Sequence, residues 1–240
     1  KITLNADSLK QTTGEDSAQP IDVVLVLAVS NSMNYWGGSL SGEVVNSDDL
    51  KISSYYPRYY YYVNDSTLYR VYGEKSYGWN VWYREEYYIS SGTSYNHGFR
   101  NRQRFDKDTV NEYYTNYSTR LEGMKTAAKS FLELLADKSS ESNVGIVTFA
   151  GSVQDTTVAY GNPSGLLNVG TQINSLTQFI DGIDNTASST TPSTGLSRAA
   201  TMLQSSTNGK YVVLLSDGAP TEGKNAGITQ AATMIRNGIT

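Results

Sequence analysis

Four oxygen-bearing side chains lie where the sequence predicts that buried strands end or helices begin. Ser30 and Ser32 follow the nearly continuous apolar run at residues 21–27, whose β-branched residues and leucines are typical of a central parallel strand buried on both faces. Thr190 precedes a predicted helix, and Asp217 lies two residues after the end of another apolar run. Because ligands of α/β sheets bind beyond the carboxyl ends of parallel strands, we expect these oxygens to converge.

The residue types at this edge favour a hard cation. Hydroxyl and carboxylate oxygens, without imidazole or thiolate, suit Mg²⁺ or Mn²⁺ in octahedral geometry, and such a site can leave a position open for the carboxylate of a partner. The single histidine, His97, lies between Asn96 and Gly98, so a Ser-His-Asp triad is poorly supported. No nucleotide-binding glycine motif is present. The sequence predicts a divalent-metal site and no catalytic residues.

Purely structural roles are the alternatives for the same residues. Ser30 and Ser32 could cap the turn that follows them, and Thr190 or its neighbour Thr191 could cap a helix. Asp217 could form an Asx turn ahead of a glycine. On the residues alone, which of the two threonines is the ligand stays open.

Bulk composition narrows the classes of partner. The chain has 240 residues, a net charge of −4, a pI near 5.1 and no cysteine. No basic surplus is available to neutralise phosphates, which argues against nucleic acid. Disulfides and thiolate zinc sites are excluded. No apolar run approaches the ~20 residues of a membrane span, so we expect no membrane insertion.

The order of predicted elements indicates an α/β fold. Buried strands alternate with amphipathic helices in a way that implies a doubly wound, mostly parallel sheet flanked by helices. The composition changes abruptly after the first central strand, where tyrosines and all three tryptophans accumulate. We predict a lead-in at residues 1–20, an α/β domain at residues 21–35 and 118–240, and a Tyr-rich inserted subdomain at residues 36–117.

The Tyr-rich insertion has two interpretations that do not exclude each other. Tyrosine gives a large, amphipathic contact area with few rotatable bonds, as binding loops require. It also stabilises small sheets through cross-strand aromatic pairs. We expect short strands and long loops, on the same face of the sheet as the metal site because the insertion directly follows Ser30 and Ser32. The candidate ligand contacts are Tyr59, Tyr61, Trp79, Trp82 and Tyr87.

In these motifs the chain resembles a von Willebrand factor A (vWA) domain, a Rossmann-like fold with a metal-ion-dependent adhesion site. The family's D-x-S-x-S motif is matched by Ala-Val-Ser-Asn-Ser at residues 28–32 in all but its first position. Its threonine ahead of a helix fits Thr190, and its aspartate after the fourth strand fits Asp217. The resemblance covers residues 21–32 and 121–240. The first strand and the lead-in before it are similar to the A domains of Gram-positive surface adhesins and pilus-tip proteins.

The sequence departs from the family at two places. Ala28 stands where the family has aspartate, which removes a negative charge from the site and leaves Asp217 as its single carboxylate. This indicates either a natural loss or a deliberate inactivating substitution. The family pattern also continues past Thr240 through another strand and a helix, so a missing segment, a cleaved chain and a partner that completes the sheet are alternatives.

The resemblance implies an extracellular adhesion module, cell-wall-anchored or pilus-associated, and not an enzyme. Mg²⁺ or Mn²⁺ held by Ser30, Ser32, Thr190 and Asp217 would accept a carboxylate from a host or matrix protein, or the insertion would contact a glycan, and Ala28 would impair the metal site. Other domains of the same surface protein are further expected partners. The alternatives are an intracellular vWA scaffold for protein assembly and a surface protein that cleaves its own chain.

Overall fold

The computed structural model describes residues 19–51, 58–65, 67–77, 83–92, 100–184, 186–217 and 220–240. Within these, only the backbone is described at residues 74–77, 83–92, 100–103 and 224. The described residues group into two compact units: one comprises those up to Met33 and from Met124 onward, and the other comprises those within Asn34–Gly123. No helix in the described ranges is long and apolar enough to cross a membrane.

Strands and helices are numbered separately in chain order, and short 3-10 helices are left unnumbered. The strands and helices are β1 (Ile21–Ala28), β2 (Trp36–Asn46), β3 (Tyr60–Asn64), β4 (Thr67–Tyr77), β5 (Tyr83–Gly92), β6 (Arg100–Phe105), β7 (Glu112–Thr119), α1 (Arg120–Lys138), β8 (Asn143–Phe149), β9 (Val153–Thr156), β10 (Leu167–Asn168), α2 (Val169–Asp181), α3 (Pro192–Met202), β11 (Gly209–Leu215) and α4 (Lys224–Arg236).

The first unit contains the predicted α/β sheet. Strand β1 is central and runs parallel to both β8 and β11, while β9 and β10 pair antiparallel with β8. All residues of β1 are buried, as a strand covered on both faces requires. The α/β fold class with a mostly parallel sheet is therefore confirmed.

Helix α3 packs closely against the carboxyl-terminal half of β1. Val26, Ala28 and Phe149 share an apolar cluster with Leu196 of α3. A Cβ atom on Gly195 would lie 2.6 Å from Val26 Cγ1 and 3.0 Å from the ring of Phe149. The absence of a side chain at this position is what lets the helix approach the strand.

Strand β11 carries the start of a further parallel pairing. Ile239 forms a parallel bridge with Lys210, and the Val212 N–H donates to the Thr240 carbonyl at 2.7 Å. An apolar groove of about 400 Å³ lies beside it, between β11, α3 and α4, and Leu214 on its wall is 41% exposed.

The second unit holds an antiparallel sheet with the order β2-β7-β3-β4-β5-β6. Strands β4 and β5, with 11 and 10 residues, are longer than the short strands expected from the sequence, whereas β3 and β6 are short. Pairing along the whole length of β4 and β5 accounts for this extension, because each strand satisfies the backbone of its neighbour.

Tyrosine rings supply much of the apolar packing in this sheet. The Tyr62 ring stacks on Tyr69 with ring centroids 5.0 Å apart, stacks on Phe105 at 5.8 Å, and meets the edge of the fully buried Tyr113 at 5.9 Å. Burial, together with the nearby Tyr69 hydroxyl, raises the pKa of Tyr62 to about 12. These aromatic rings supply the apolar packing that aliphatic side chains supply in the first unit.

Candidate functional site

Three of the predicted ligands form a continuous chain of oxygens at the carboxyl ends of β1 and β11. Ser30 Oγ and Ser32 Oγ lie 3.0 Å apart, and Ser32 Oγ donates a hydrogen bond to Asp217 Oδ1 at 2.9 Å. Because β1 and β11 run parallel and in register, their ends present these residues side by side although they are far apart in the sequence.

The loop before Thr190 is anchored to the residues that leave β1. Ser30 is 3% exposed and forms a parallel bridge with Ala187. The Asn31 N–H donates to the Ala187 carbonyl at 2.9 Å, and the Ala187 N–H donates to the Val29 carbonyl at the same distance. The hydroxyl of Ser30 is therefore held on a short piece of added sheet rather than on a free loop.

Thr190 is buried and is tied to the loop of Asp217 through its backbone. The Thr221 N–H donates to the Thr190 carbonyl at 2.8 Å, Thr221 Oγ1 donates to the same carbonyl at 3.1 Å, and Thr221 Oγ1 also accepts from the Thr190 N–H at 3.0 Å. On the other side, the Thr191 N–H donates to the Ala150 carbonyl at 2.8 Å. The direct hydrogen bonds between side chains thus join Ser30, Ser32 and Asp217, whereas Thr190 connects through Thr221.

The residue before Thr190 has a left-handed backbone. Ser189 has φ of 73°, a conformation that costs a residue with a Cβ atom roughly 1–2 kcal/mol. Such backbone persists only where surrounding contacts hold it. Here the hydrogen bonds of Thr190 and Thr191 do so.

The Glu222 side chain caps the amino-terminal end of α3. Glu222 Oε1 accepts from the Ser193 N–H at 2.8 Å, and Glu222 Oε2 accepts from the Ser193 hydroxyl. A carboxylate is favoured at this position by the unpaired N–H groups and the positive end of the helix dipole. Two residues that follow Asp217 therefore bind the segment around Thr190: Thr221 is hydrogen-bonded to Thr190, and Glu222 is hydrogen-bonded to Ser193.

Ala28 lies two residues before Ser30, on β1, opposite Phe149 in the register of β8. It is fully buried within the apolar cluster on α3. The position at which the vWA motif has a carboxylate is here occupied by a methyl group in an apolar environment.

The residues present fit a divalent ion with a low-charge donor set. Neighbouring ligands of an octahedral Mg²⁺ at 2.0–2.1 Å from the metal lie about 3.0 Å apart, which matches the spacings along Ser30, Ser32 and Asp217. Ser216 Oγ, next to Asp217, is buried without a hydrogen-bond partner in the described part of the chain. Among those same residues, no three acidic, histidine or cysteine side chains gather to hold a metal, so an ion here would be held by the single carboxylate of Asp217 together with hydroxyls and water.

The aromatic candidates are distributed unevenly. Tyr59 is 37% exposed and has the Arg70 guanidinium 4.4 Å above its ring. Tyr61 is 9% exposed and packs edge-on against Tyr117. Outside the residues whose side chains the structure describes lie Trp79, Trp82 and Tyr87.

Fold, oxygen cluster and sequence together define the class of this protein. The sequence profile of the von Willebrand factor type A domain matches residues 116–240, more than half of the chain. The chain belongs to the von Willebrand factor type A domain family.

The solved structures to which the chain shows some similarity include a conserved hypothetical protein and pilus proteins. BatB from Bacteroides thetaiotaomicron is 15% identical with a TM-score of 0.47, covering 92% of this chain and 63% of that one. The PilB minor pilin from Streptococcus sanguinis is 14% identical with a TM-score of 0.35, covering 76% and 61%. The pilus adhesin SpaC from Lactobacillus rhamnosus GG is 19% identical with a TM-score of 0.34, covering 68% and 21%. The chain therefore spans less than two thirds of each of these structures, and no curated protein matches it.

Sequence reasoning missed Thr221, Glu222 and Ser193. No local spacing marks them, because Glu222 and Ser193 are 29 positions apart in the sequence. The sequence gives no signal for this contact, because Thr191, directly before Pro192, is itself a residue type that favours helix caps.

Proposed function

We propose that this chain is an extracellular adhesion module of a cell-wall-anchored or pilus-associated protein, with a divalent-metal site that Ala28 impairs. Ser30, Ser32, Thr190 and Asp217 hold Mg²⁺ or Mn²⁺, and a host or matrix protein supplies a carboxylate to the open position. The Tyr-rich unit adds aromatic contacts to that protein or to a glycan. The module recognises its partner without covalent chemistry and is not an enzyme.

The oxygen chain from Ser30 through Ser32 to Asp217 carries this proposal. Its spacing suits metal ligation, and it stands at the edge of the sheet where α/β proteins bind ligands. When bound, the ion supplies positive charge that attracts a partner's carboxylate. The protein residues contribute the geometry: Ser32 orients the Asp217 carboxylate, and the buried backbone of Thr190 fixes the third loop.

The substitution at residue 28 weakens the site through charge. With one carboxylate, the protein neutralises only half of the charge of a divalent ion, so the hydrated ion in solution competes well with the site. We therefore expect this chain to bind Mg²⁺ weakly and Ala28→Asp to bind it more tightly. In the absence of metal, the same substitution should destabilise the fold, because it buries a carboxylate among apolar residues.

Calorimetric titration with Mg²⁺ and Mn²⁺ tests the metal site. The chain itself, Ala28→Asp, and the double variant Ala28→Asp with Ser32→Ala form a matched set. We expect saturable binding by Ala28→Asp, and an increase in its Tm with metal, worth ~2.7 kcal/mol at a metal concentration 100 times the Kd. The double variant should lose most of this. Absence of binding by Ala28→Asp would contradict the proposed metal site.

Adhesion itself is tested with immobilised ligands. Ala28→Asp is applied to surfaces coated with matrix proteins or glycans, in Mg²⁺ and in EDTA. We expect retention on at least one protein surface in Mg²⁺ and its loss in EDTA. Retention that EDTA leaves intact would reject the metal-bridged mechanism and would shift the contact to the Tyr-rich unit.

A further inference from the structure

We propose that Glu222 is a positioning residue of the metal site, because its carboxylate fixes the loop of Asp217 against the helix that follows Thr190. The inference rests on the proposed function, since it names what holds that site in shape. It concerns a residue outside the four candidate ligands.

Glu222 takes the place of a side-chain cap at the first turn of α3. Thr191 occupies the position before the helix and makes no side-chain capping hydrogen bond, and Pro192 follows as a first helical residue without an N–H. The next N–H, that of Ser193, is satisfied by Glu222 Oε1 at 2.8 Å. The second carboxylate oxygen accepts from the Ser193 hydroxyl, so both oxygens of one carboxylate are engaged by one residue.

This contact has a defined orientation. Hydrogen bonds to an ionised acceptor are stronger than those between neutral groups, and two of them fix the plane of the carboxylate. The helix dipole adds attraction for the negative charge. Glu222 is therefore held at a fixed place relative to α3, and the backbone on either side of it is held as well.

The consequence for the site follows from chain connectivity. Asp217 begins the loop where β11 ends, and Thr221 and Glu222 end that loop on the backbone of Thr190 and on Ser193. With both ends fixed, the Asp217 carboxylate stays within reach of Ser32 before any ion arrives. Without Glu222 this end of the loop keeps only the hydrogen bonds between Thr221 and Thr190, and the metal must complete the ordering of the loop on binding. Loss of residues that orient metal ligands typically weakens metal affinity ~10–100-fold.

The test compares two helix caps in the Ala28→Asp background. Glu222→Ala removes the cap of α3, and Asn168→Ala removes the cap of α2, where Asn168 Oδ1 accepts from the Thr171 N–H at 3.0 Å. Asn168 lies next to the amino-terminal end of β8, away from the metal edge. Both variants should lower the Tm without metal by similar amounts. Only Glu222→Ala should raise the Kd for Mg²⁺, by ~10–100-fold.

Glu222→Gln provides the conservative control. Its amide oxygen still accepts from the Ser193 N–H, so we expect metal affinity between that of the parent and that of Glu222→Ala. A Kd for Glu222→Ala within twofold of its parent, or an equal loss in Asn168→Ala, would overturn the proposal.

Failure of the metal site itself is distinguished by a measurement that needs no metal. Amide hydrogen exchange of the unsubstituted chain and of Glu222→Ala is compared by mass spectrometry on peptides covering Thr190 and Asp217. We expect faster exchange in both peptides and no change at the start of α2. Unaltered exchange around Asp217 would overturn the positioning role, whether or not Ala28→Asp binds an ion.

Discussion

Trp36 and Thr119 lie opposite each other on the neighbouring strands β2 and β7. Beside them, the Arg120 N–H donates to the Tyr35 carbonyl at 2.9 Å. The chain therefore enters and leaves the Tyr-rich unit at adjacent backbone positions. Residues 37–118 form an excursion whose two ends are already joined by hydrogen bonds.

Replacing residues 37–118 by Asn-Gly should leave the α/β unit folded. A two-residue turn with φ above zero at both positions joins adjacent antiparallel strands without splaying them. We expect cooperative thermal unfolding and a circular dichroism spectrum with a higher helical fraction, since every removed strand belongs to the other unit. In the Ala28→Asp background, this shortened chain should adhere less than the full chain.

A single substitution tests the contribution of one exposed aromatic ring to adhesion, separately from that of the whole Tyr-rich unit. Tyr59→Ala removes a 37% exposed ring, and Tyr160→Ala removes a 40% exposed ring from the α/β unit as its control. If the Tyr-rich unit contacts ligand, only the first should reduce adhesion. Adhesion that survives the removal of residues 37–118 would reject the ligand-contact role.

Two helical glycines should respond to alanine in opposite directions. Gly195→Ala places a Cβ 2.6 Å from Val26 Cγ1, and overpacking of this kind costs ~1–3 kcal/mol. Gly123→Ala in α1 meets nothing within 4 Å, and should stabilise the helix by ~0.5–1 kcal/mol. Urea unfolding measures both. Equal effects of the two substitutions would show that α3 does not approach β1 as closely as described.

The left-handed backbone of Ser189 predicts a difference between neighbouring serines. Ser189→Gly relieves the clash of a Cβ at φ of 73°, while Ser188→Gly only adds freedom to the unfolded chain. We expect Ser189→Gly to be more stable than Ser188→Gly by ~1–2 kcal/mol in urea unfolding. A smaller free energy of unfolding for Ser189→Gly would contradict the strained geometry.

The α/β sheet could be predicted because the composition of short segments of the sequence identifies its strands. The run at residues 21–27 is apolar apart from Asp22, as is typical of a strand covered on both faces, and parallel topology then places Ser32 and Asp217 at one edge. The contact of Glu222 with Ser193 could not be predicted in this way. It depends on how two loops meet after folding, and neither segment carries a pattern that points to the other.

In the Tyr-rich sheet, the buried and exposed faces of the strands could not be predicted, for a different reason. Strand faces are identified by alternation of apolar and polar residues, and the run of tyrosines at residues 59–62 has no such contrast. The structure buries Tyr60 and Tyr61 and leaves Tyr59 37% exposed. Identical residues with different surroundings cannot be told apart by sequence alone, so Tyr59 and Tyr61 were equal candidates for ligand contact.

The raised pKa of Tyr62 predicts a loss of stability at high pH. The pKa is 10.0 for an ordinary tyrosine and about 12 in the folded chain, because burial and the neighbouring Tyr69 disfavour the phenolate. Between these values the unfolded chain loses the Tyr62 proton while the folded chain retains it, so the free energy of unfolding falls as pH rises. The contribution is complete below about pH 10 and is lost as the pH rises towards about 12.

Urea unfolding at pH 9 and pH 11 measures this contribution against Tyr62→Phe, which cannot ionise and should lose less stability over this interval. Tyr160→Phe, which alters a 40% exposed ring, should behave as the unsubstituted chain does, and an identical loss in all three proteins would contradict the burial of the Tyr62 hydroxyl.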